Sequence, residues 1–162
     1  CIRDRIKVKL HGKHGIGKIA LIDHEDFGKI NQRRWQVDKD GYAFHTMNKN
    51  GKTFAFKMHR IITNAPKGME VDHVNGNRLD NRKRNLRLAT SQQNRHNMRK
   101  LNANTSGYKG VVLDKRTGRW IVQIHLNNKK IYGKRQDNIV EAAKEYDRLA
   151  RKYHGEFAKT NF

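Results

Sequence analysis

Short alternations of apolar and polar residues fill the first third of the chain, and they predict small strands rather than helices. Residues 6–10 alternate apolar with basic side chains, as on a half-buried strand. Asn50-Gly51 is a strong hairpin-turn signal, because both residues tolerate positive φ. Asp23 can serve as an N-cap, which predicts a short helix over residues 24–31. The predicted strands are residues 6–10, 18–22, 42–47 and 53–56.

The middle of the chain reads as a short helix followed by a strand, a loop, a strand and a second helix. Thr90-Ser91-Gln92-Gln93 has the pattern of a capping box, which predicts a helix running to about Leu101. Strand, loop, strand and helix together form a ββα unit. It places Asp72 and His73 at the end of its first strand and Asn94 in the first turn of its helix. The predicted elements are a helix at 57–64, strands at 69–72 and 86–88, and a helix at 91–101.

Three strand signals and one long helix follow a polar linker at residues 102–107. Asn138 is the predicted cap of that helix, apolar residues recur at helical spacing along it, and Gly155 ends it. The predicted fold class is therefore α+β: an N-terminal strand-rich region, a central ββα unit, and a C-terminal three-stranded antiparallel sheet packed on one helix. The predicted strands of the last part are 108–113, 119–126 and 129–133. The predicted domains are a strand-rich DNA-contacting region at 1–57, the ββα unit at 58–101, the linker at 102–107, and the sheet domain at 108–162.

The charge of the chain narrows its range of partners. Of its 162 residues, 36 are Lys or Arg and 15 are Asp or Glu, which gives a net charge of +21. The basic excess is similar in residues 1–57, 58–104 and 105–162, so a long polyanion is expected to contact all three. A solubilising surface or a ribosomal-type RNA binder would carry the same charge, so charge alone does not separate these classes.

Cysteine usage and hydropathy exclude several other classes. The single cysteine, Cys1, rules out an internal disulfide framework and a cysteine-based zinc site. The sequence has no signal-peptide pattern and no apolar run of about 18 residues, so a cytoplasmic protein with no membrane partner is expected. The chain begins with Cys rather than Met, and a start inside a longer product and a processing step are both open explanations.

Asp72, His73 and Asn94 have the chemistry of a phosphodiester-hydrolysing site. Hydrolysis needs a base for the water, stabilisation of charge in the transition state, and a means for the 3′ oxygen to leave; a hard divalent cation serves the last two. Asp72 offers an anionic oxygen and Asn94 a neutral one, which suits Mg²⁺ or Mn²⁺. On an extended backbone, His73 points away from the face of Asp72. An imidazole with an ordinary pKa of roughly 6.5 is suited to act as general base.

Four short motifs of this region form a spaced set: Val71-Asp72-His73-Val74-Asn75-Gly76-Asn77, Leu79-Asp80-Asn81, Asn85-Leu86-Arg87-Leu88-Ala89-Thr90 and Gln92-Gln93-Asn94. The set resembles the HNH nuclease family, and specifically the phage and intron-encoded HNH homing endonucleases. The resemblance implies that His73 activates the water, that Asp72 and Asn94 hold the metal, and that Asn85 braces the loop that orients His73. The third letter of the family name is often His, but its intron-encoded nickases also have Asn there. His96 is a fallback ligand, two residues further along the helix and expected to face elsewhere.

A plainer interpretation of the same residues exists. Asp72-His73 would be an ordinary polar strand end, and the asparagines would be turn formers. The joint spacing of the four motifs disfavours this interpretation. A degenerate site that does not cut DNA stays open. Met58-His59-Arg60 resembles the helix that precedes the family's site, so His59 is expected near the site.

A second set of motifs lies near the C-terminus: Ser106-Gly107-Tyr108-Lys109-Gly110-Val111, Gly118-Arg119-Trp120, residues 142–147, residues 154–158 and Asn161-Phe162. It resembles the plant AP-two DNA-binding domain of the ethylene-response-factor type, which phage HNH nucleases often carry at the C-terminus. The resemblance implies a three-stranded sheet laid in the major groove. Trp120 fits the core and a contact with DNA sugars equally well, whereas Tyr146 and Tyr153 are expected in the core. The plant domain has more arginine and tryptophan on its sheet, so base specificity is not carried over. The expected outward-facing residues are Lys109, Arg116, Arg119, Gln123, His125 and Lys130.

These patterns together predict a metal-dependent, site-preferring DNA endonuclease of the homing type, acting in a bacterial or phage-infected cell. One catalytic unit per chain predicts that a monomer nicks one strand of double-stranded DNA, with Mg²⁺ or Mn²⁺ and no small-molecule cofactor. The rivals are a DNA-binding regulator with an inactive HNH fold and a restriction- or repair-type HNH nuclease. The basic run at 82–84 lies between the two active-site strands, which favours phosphate contact over a solvated charge run. Besides the sheet residues, the expected DNA contacts are Arg60, Arg82, Lys83, Arg84, Arg87 and Arg95.

Overall fold

Strands and short helices alternate along the chain in the computed structural model, and the predicted α+β class is confirmed. The residues divide into two compact units, Cys1–Ser91 and Gln92–Phe162. Within the part of the chain that is described, no helix is both long enough and apolar enough to cross a membrane. The structure describes residues 5–97, 104–127 and 129–162.

The elements of the first unit are β1 (Arg5–Lys9), β2 (Ile19–Asp23), α1 (Phe27–Ile30), β3 (Gln36–Val37), β4 (Ala43–Lys49), β5 (Lys52–Lys57), α2 (Met58–Thr63), β6 (Glu70–His73) and β7 (Leu86–Ala89). Its strands form three small antiparallel sheets, ordered β1-β2, β3-β4-β5 and β6-β7. Asn50 and Gly51 turn the chain between β4 and β5 with φ values of 52° and 72°, as predicted for a hairpin. The predicted strands of this region are therefore present, and β3 is an additional one.

The short helix predicted over residues 24–31 is present in two parts. A 3-10 turn at His24–Asp26 precedes the four-residue α1. Asp23 makes no side-chain cap hydrogen bond; instead, its Oδ2 accepts the main-chain N–H of Lys83 at 2.7 Å. Because the carboxylate is engaged with another segment, the first amides of the helix lack a cap, and the turn tightens to the 3-10 form.

Trp35 lies at the centre of the first unit's core, with 1% of its surface exposed. Its indole N–H donates to the carbonyl oxygen of Ile30 at 2.8 Å, so the polar atom of this buried ring is satisfied. The helix α2 contacts both β6 and β7, and its residues Met58 and His59 are buried. The core residues are Leu10, Ala20, Ile22, Ile30, Trp35, Val37, Ala43, Met58 and Ile62.

Strand, loop, strand and helix follow one another in the predicted order. β6 and β7 pair antiparallel, with Asp72 opposite Arg87 and His73 opposite Leu86. A 3-10 turn at Lys83–Asn85 leads directly into β7. The short helix α3 (Ser91–His96) comes next in the chain. The predicted end of this helix, residues 98–101, lies outside the described residues.

The second unit contains β8 (Val111–Asp114), β9 (Arg119–Leu126), β10 (Lys129–Tyr132) and α4 (Ile139–His154). β9 is the central strand of an antiparallel sheet, and α4 packs against it. Asn138 caps α4 as predicted, because its Oδ1 accepts the N–H of Val140 at 2.7 Å and of Glu141 at 3.3 Å. Tyr146 is buried in the core, whereas Trp120 and Tyr153 are half-buried beside it. The predicted linker and turn lie partly outside the described residues, at 102, 103 and 128.

A buried carboxylate ties the chain end into this unit. Asp147, only 2% exposed, accepts the main-chain N–H of Asn161 at Oδ1 (2.7 Å) and that of Phe162 at Oδ2 (2.9 Å). Asn161 Oδ1 in turn accepts the N–H of Lys109 at 2.7 Å. A buried charge is costly unless it is hydrogen-bonded, so these bonds hold the C-terminus against α4 and against the segment before β8.

Replacing Gly110 with alanine is expected to destabilise the second unit far more than the same change at Gly118. Both residues have positive φ, 72° and 71°, so both variants bear a backbone cost of about 1–2 kcal/mol. A Cβ at Gly110 would also lie 2.0 Å from the ring of Tyr146, whereas nothing lies within 4 Å of a Cβ at Gly118. In urea unfolding, the difference should exceed about 2 kcal/mol. Equal losses would contradict this packing.

Candidate active site

His73 is the last residue of β6 and is almost fully buried, with 4% of its surface exposed. Its Nε2 lies 3.3 Å from Oδ1 of Asn81, a residue with no exposed surface. Because a carboxamide oxygen can only accept a hydrogen bond, Nε2 carries the proton and Nδ1 is the basic nitrogen of the neutral ring. The sequence prediction assigned the orientation of His73 to Asn85 alone and missed Asn81. The Leu79-Asp80-Asn81 motif was the available signal.

Asn85 closes the loop between β6 and β7. Its Oδ1 accepts the main-chain N–H of Asn75 at 2.9 Å, and its Nδ2 donates to the carbonyl oxygen of Asp80 at 2.7 Å. The carbonyl oxygen of Asn85 also accepts the N–H of Val74 at 2.9 Å. Asn85 thus hydrogen-bonds to residues near the start and in the middle of the loop. The same loop carries Asn81, which contacts His73. These bonds fit the predicted bracing role, which stays a prediction.

Asp80 and Arg82 stiffen the same loop. The guanidinium of Arg82 donates from Nε to Oδ1 and from Nη2 to Oδ2 of Asp80, both at 2.6 Å. This bidentate pair holds the pKa of the Asp80 carboxyl below its ordinary value, and the hydrogen bond from the Asn75 amide adds to the effect. Arg82, predicted to contact DNA, therefore has an internal partner.

Asp72 lies opposite Arg87 on the neighbouring strand and is paired with it. Arg87 Nε and Nη2 lie 2.8 and 2.6 Å from Oδ2 of Asp72, and both side chains are largely buried. Asp72 offers an anionic oxygen, the kind of donor that suits Mg²⁺ or Mn²⁺, and Asn94 lies in α3, in the second unit. The roles of these residues toward a metal and of Arg87 toward DNA stay predictions.

A second acidic group, Asp23, Glu25 and Asp26, could also hold a metal, since its ligand atoms lie within 4.8 Å of one another. Lys83 contacts all three members of this cluster and offsets part of its negative charge. Its ammonium lies 2.7 Å from Glu25 and 3.8 Å from Asp26, and its main-chain N–H binds Asp23. Lys83 was predicted to contact DNA, and its amine has this internal partner instead. Its neighbour Arg84 is exposed.

Two further rings surround His73. The ring of His59 meets it edge-on at 5.2 Å, and the ring of Tyr42 lies 5.8 Å away. Tyr42 and His59 also contact each other at 5.0 Å. His59 lies near the site, as expected from its motif, but Tyr42 is 31 residues earlier in the chain than His73 and gave no signal.

Burial keeps both imidazoles in their neutral form. It lowers the pKa of His73 below its ordinary 6.5, against the opposing effects of the Asn81 hydrogen bond and of the Asp72 and Asp80 carboxylates. The charge of Arg78 adds to the lowering. Burial, the neighbouring His73 and the charge of Lys57 lower the pKa of His59 to about 3. A neutral His73 can accept a proton from water near neutral pH.

The predicted DNA contacts outside the β6–β7 loop lie in α2, on the sheet of the second unit, and at exposed positions elsewhere. The guanidinium of Arg60 donates to the carbonyl oxygens of Met69, Ala65 and Pro66, and so joins α2 to the segment before β6. On β9, Arg119, Gln123 and His125 alternate with the buried residues, so they lie on the face opposite the core. Arg119 pairs there with Asp137 at 2.7 Å. Lys130 is exposed opposite His125 on β10, and Arg95 and Arg116 are exposed.

Lys109 and His96 form a separate group in the second unit. The ammonium of Lys109 donates to the carbonyl oxygen of His96 at 2.7 Å, and burial lowers the pKa of Lys109 to about 8. The ring of His96 stacks on that of His154, with centroids 3.6 Å apart. Lys109, predicted to face DNA, is thus partly buried, and His96 has an aromatic neighbour.

Comparison with known proteins identifies relatives of this chain. A model of the HNH endonuclease family matches residues 57–96. Protein 3.8 of Escherichia phage T7 is 35% identical over 94 residues, which are 58% of this chain and 77% of that protein. An uncharacterized HNH endonuclease of Acanthamoeba polyphaga mimivirus is 28% identical over 154 residues, 91% of this chain and 76% of the relative.

A homing endonuclease also matches part of the chain. DNA endonuclease I-HmuI of Bacillus phage SP01 is 36% identical over 67 residues, 38% of each protein. A solved structure of DNA binding and cleavage by the HNH homing endonuclease I-HmuI has 34% sequence identity, a TM-score of 0.36, and coverage of 40% of each chain. The chain thus spans well under half the length of this relative.

The neutral state of His59 should make folding of the first unit sensitive to acid. Its pKa of about 3 in the folded state lies below the ordinary 6.5 of an unfolded chain. As the pH falls below 6.5, only the unfolded state binds a proton at residue 59, and this binding favours unfolding. The contribution of neutral His59 to the free energy of unfolding is therefore full above pH 6.5 and is lost as the pH falls toward 3. His59→Phe removes the titrating group and keeps a ring. Between pH 7 and 5, the wild type should lose about 1–2 kcal/mol more than the variant in urea unfolding; identical losses would refute the assignment.

Proposed function

This chain belongs to the HNH endonuclease family, and from that membership we propose that it is a metal-dependent, site-preferring DNA endonuclease of the homing type. It nicks one strand as a monomer, in the cytoplasm of a bacterial or phage-infected cell, without a small-molecule cofactor. The observation that carries the proposal is the buried, neutral His73, oriented by Asn81 and adjacent to Asp72 in β6. The partial match to I-HmuI supports the homing assignment.

His73 is the general base of the proposed reaction. Its Nδ1 takes a proton from a water molecule, and the water oxygen forms a bond to phosphorus as the bond from phosphorus to the 3′ oxygen breaks. The departing 3′ oxygen gains a proton from solvent and becomes a 3′ hydroxyl, and the phosphate stays on the 5′ oxygen of the other fragment. Oδ1 of Asn81 accepts a hydrogen bond from Nε2–H throughout, so the developing imidazolium keeps its orientation. Because burial lowers the pKa of His73, the base is unprotonated at neutral pH.

Asp72 and Asn94 would hold the divalent metal, Mg²⁺ or Mn²⁺. When bound, such a cation supplies positive charge to the transition state and to the leaving 3′ oxygen. HNH nucleases generally use a divalent metal, and the carboxylate and carboxamide of these two residues are oxygen donors of the right hardness. Arg87 pairs with one oxygen of Asp72 and holds the carboxylate in place across the β6–β7 register.

The parts of the chain on either side of the site would select the target. We assign an AP-two-like DNA-binding domain to residues 108–162, because three antiparallel strands pack on one helix there. The outward face of β9 and β10 carries Arg119, Gln123, His125 and Lys130 and would enter the major groove. Residues 1–57 would contact DNA through their basic strands, and residues 58–101 would form the nuclease domain.

Alanine substitutions in the site test the proposed chemistry. His73→Ala should slow nicking of supercoiled plasmid in Mg²⁺ or Mn²⁺ by about 10²–10⁴-fold, because the water loses its base. Asp72→Ala and Asn94→Ala should abolish metal-supported cutting while DNA binding changes by only a few fold. His24→Ala, an exposed histidine in the same unit, is the matched control and should cut normally. Unchanged cleavage by His73→Ala would mean that a different residue activates the water, whereas no cleavage by the wild type would leave a DNA-binding protein.

Salt dependence tests the charge argument. If roughly 6–10 phosphates are engaged, the logarithm of the binding constant should fall with the logarithm of salt concentration at a slope of about −0.9 per phosphate. Titration of a fluorescent duplex in EDTA, which prevents cutting, measures this slope. A flat dependence would contradict contact with a long stretch of backbone.

A further inference from the structure

We propose that Lys57 and Arg78, arranged on the ring of Tyr42, form a phosphate-binding site beside His73 that holds the DNA backbone during cleavage. The proposal rests on the function assigned above and adds two cations that the sequence motifs did not single out. Both residues belong to the first unit, and they reach the site from different segments. Lys57 ends β5, and Arg78 lies in the loop between β6 and β7.

Tyr42 brings the two cations together. The Nζ of Lys57 lies 4.2 Å from the centroid of the Tyr42 ring, and the Cζ of Arg78 lies 4.7 Å from it. The same ring contacts that of His73, with centroids 5.8 Å apart. A cation over an aromatic face is attracted by the ring's quadrupole, so Tyr42 holds both charges one ring away from the proposed base.

A tight turn holds Tyr42 in position. Asp38 Oδ1 accepts the N–H of Asp40 at 3.0 Å and that of Tyr42 at 2.9 Å. The carbonyl oxygen of Asp40 also accepts a hydrogen bond from the guanidinium of Arg78. The same five-residue turn therefore positions the Tyr42 ring and the Arg78 guanidinium. Both groups are in place without a bound ligand.

Carboxylates of the protein compensate only part of the positive charge of Lys57 and Arg78. Lys57 lies 3.6 Å from Asp38, and 39% of its side chain remains exposed. Arg78 is exposed, and its hydrogen bond goes to a carbonyl group, which has no net charge. Among the described residues, Arg78 forms no ion pair with a carboxylate. Two like charges held close together repel, and an anion between or beside them would relieve that repulsion.

A phosphodiester is the anion that this chemistry fits. A guanidinium presents a planar fork of donors that matches phosphate oxygens, and an ammonium adds a compact point charge. The contrast with Arg82, Arg87 and Lys83 supports the choice of Arg78, since each of those predicted phosphate contacts is ion-paired with a carboxylate at 2.6 or 2.7 Å. Lys57 has a longer pairing, 3.6 Å from Asp38, and both cations flank the ring that touches His73.

Charge-removing variants test the proposal. In Lys57→Gln combined with Arg78→Gln, the slope of log binding constant against log salt should become shallower by about 2, one for each lost phosphate contact. Binding is measured on a duplex in EDTA. The rate of plasmid nicking at low DNA concentration should fall by about 10–100-fold. Lys144→Gln, an exposed lysine of α4 paired with Glu141, is the matched control and should change neither quantity.

The ring is tested separately from the charges. Tyr42→Phe keeps the aromatic face and should retain nicking within about two-fold, whereas Tyr42→Leu should lose nicking as the double variant does. A double variant with a lowered melting temperature but an unchanged salt slope would overturn the proposal, because the two cations would then only stabilise the fold. If the wild type does not cut DNA, the assigned function fails, and if His73→Ala cuts as well as the wild type, only the role of His73 fails. An unchanged salt slope for the double variant, in a protein whose cutting needs His73, fails this proposal alone.

Discussion

The hydrogen bond between His73 and Asn81 is the interaction on which the candidate site depends. A buried imidazole must satisfy its N–H, and the carboxamide oxygen of Asn81 does so at 3.3 Å. That bond decides which ring nitrogen is basic. It can form only because the loop after β6 returns the chain to the end of that strand. The position of the basic nitrogen of His73 thus depends on the conformation of the loop between β6 and β7.

Polar contacts hold much of the loop, in addition to the packing of Leu79 against the core. Asn85 joins its two ends, and the Asp80–Arg82 pair stiffens its middle. Such bonds are directional, so they position Asn81 more sharply than apolar packing of the same residues would. The chain therefore uses some of its 36 basic residues internally. Arg60, Arg82, Lys83 and Arg87 bind groups of the protein itself.

Much of this arrangement could be predicted from the sequence, because local signals carry it. Alternation of apolar residues, Asn-Gly turns and the Asn138 cap act within a few residues, and the strands and helices they indicate are present. Asn81 and Tyr42 were missed because their roles come from contacts across the loop and between sheets. The missing side-chain cap of the helical segment after Asp23 has the same kind of cause: Asp23 binds Lys83, which is 60 residues away. Asp72 and Asn94 follow from the motif, and their joint action on a metal stays a prediction.

The protonation state of His73 is the most direct test of the account. Nitrogen-15 spectra of imidazole-labelled protein distinguish the two neutral tautomers and the charged ring, and His73→Gln identifies the signal. At pH 7, the account predicts a neutral ring with the proton on Nε2 and an unprotonated Nδ1, and Asn81→Leu should disturb that preference. A protonated ring, or a proton held on Nδ1, would contradict the assignment of His73 as the base oriented by Asn81.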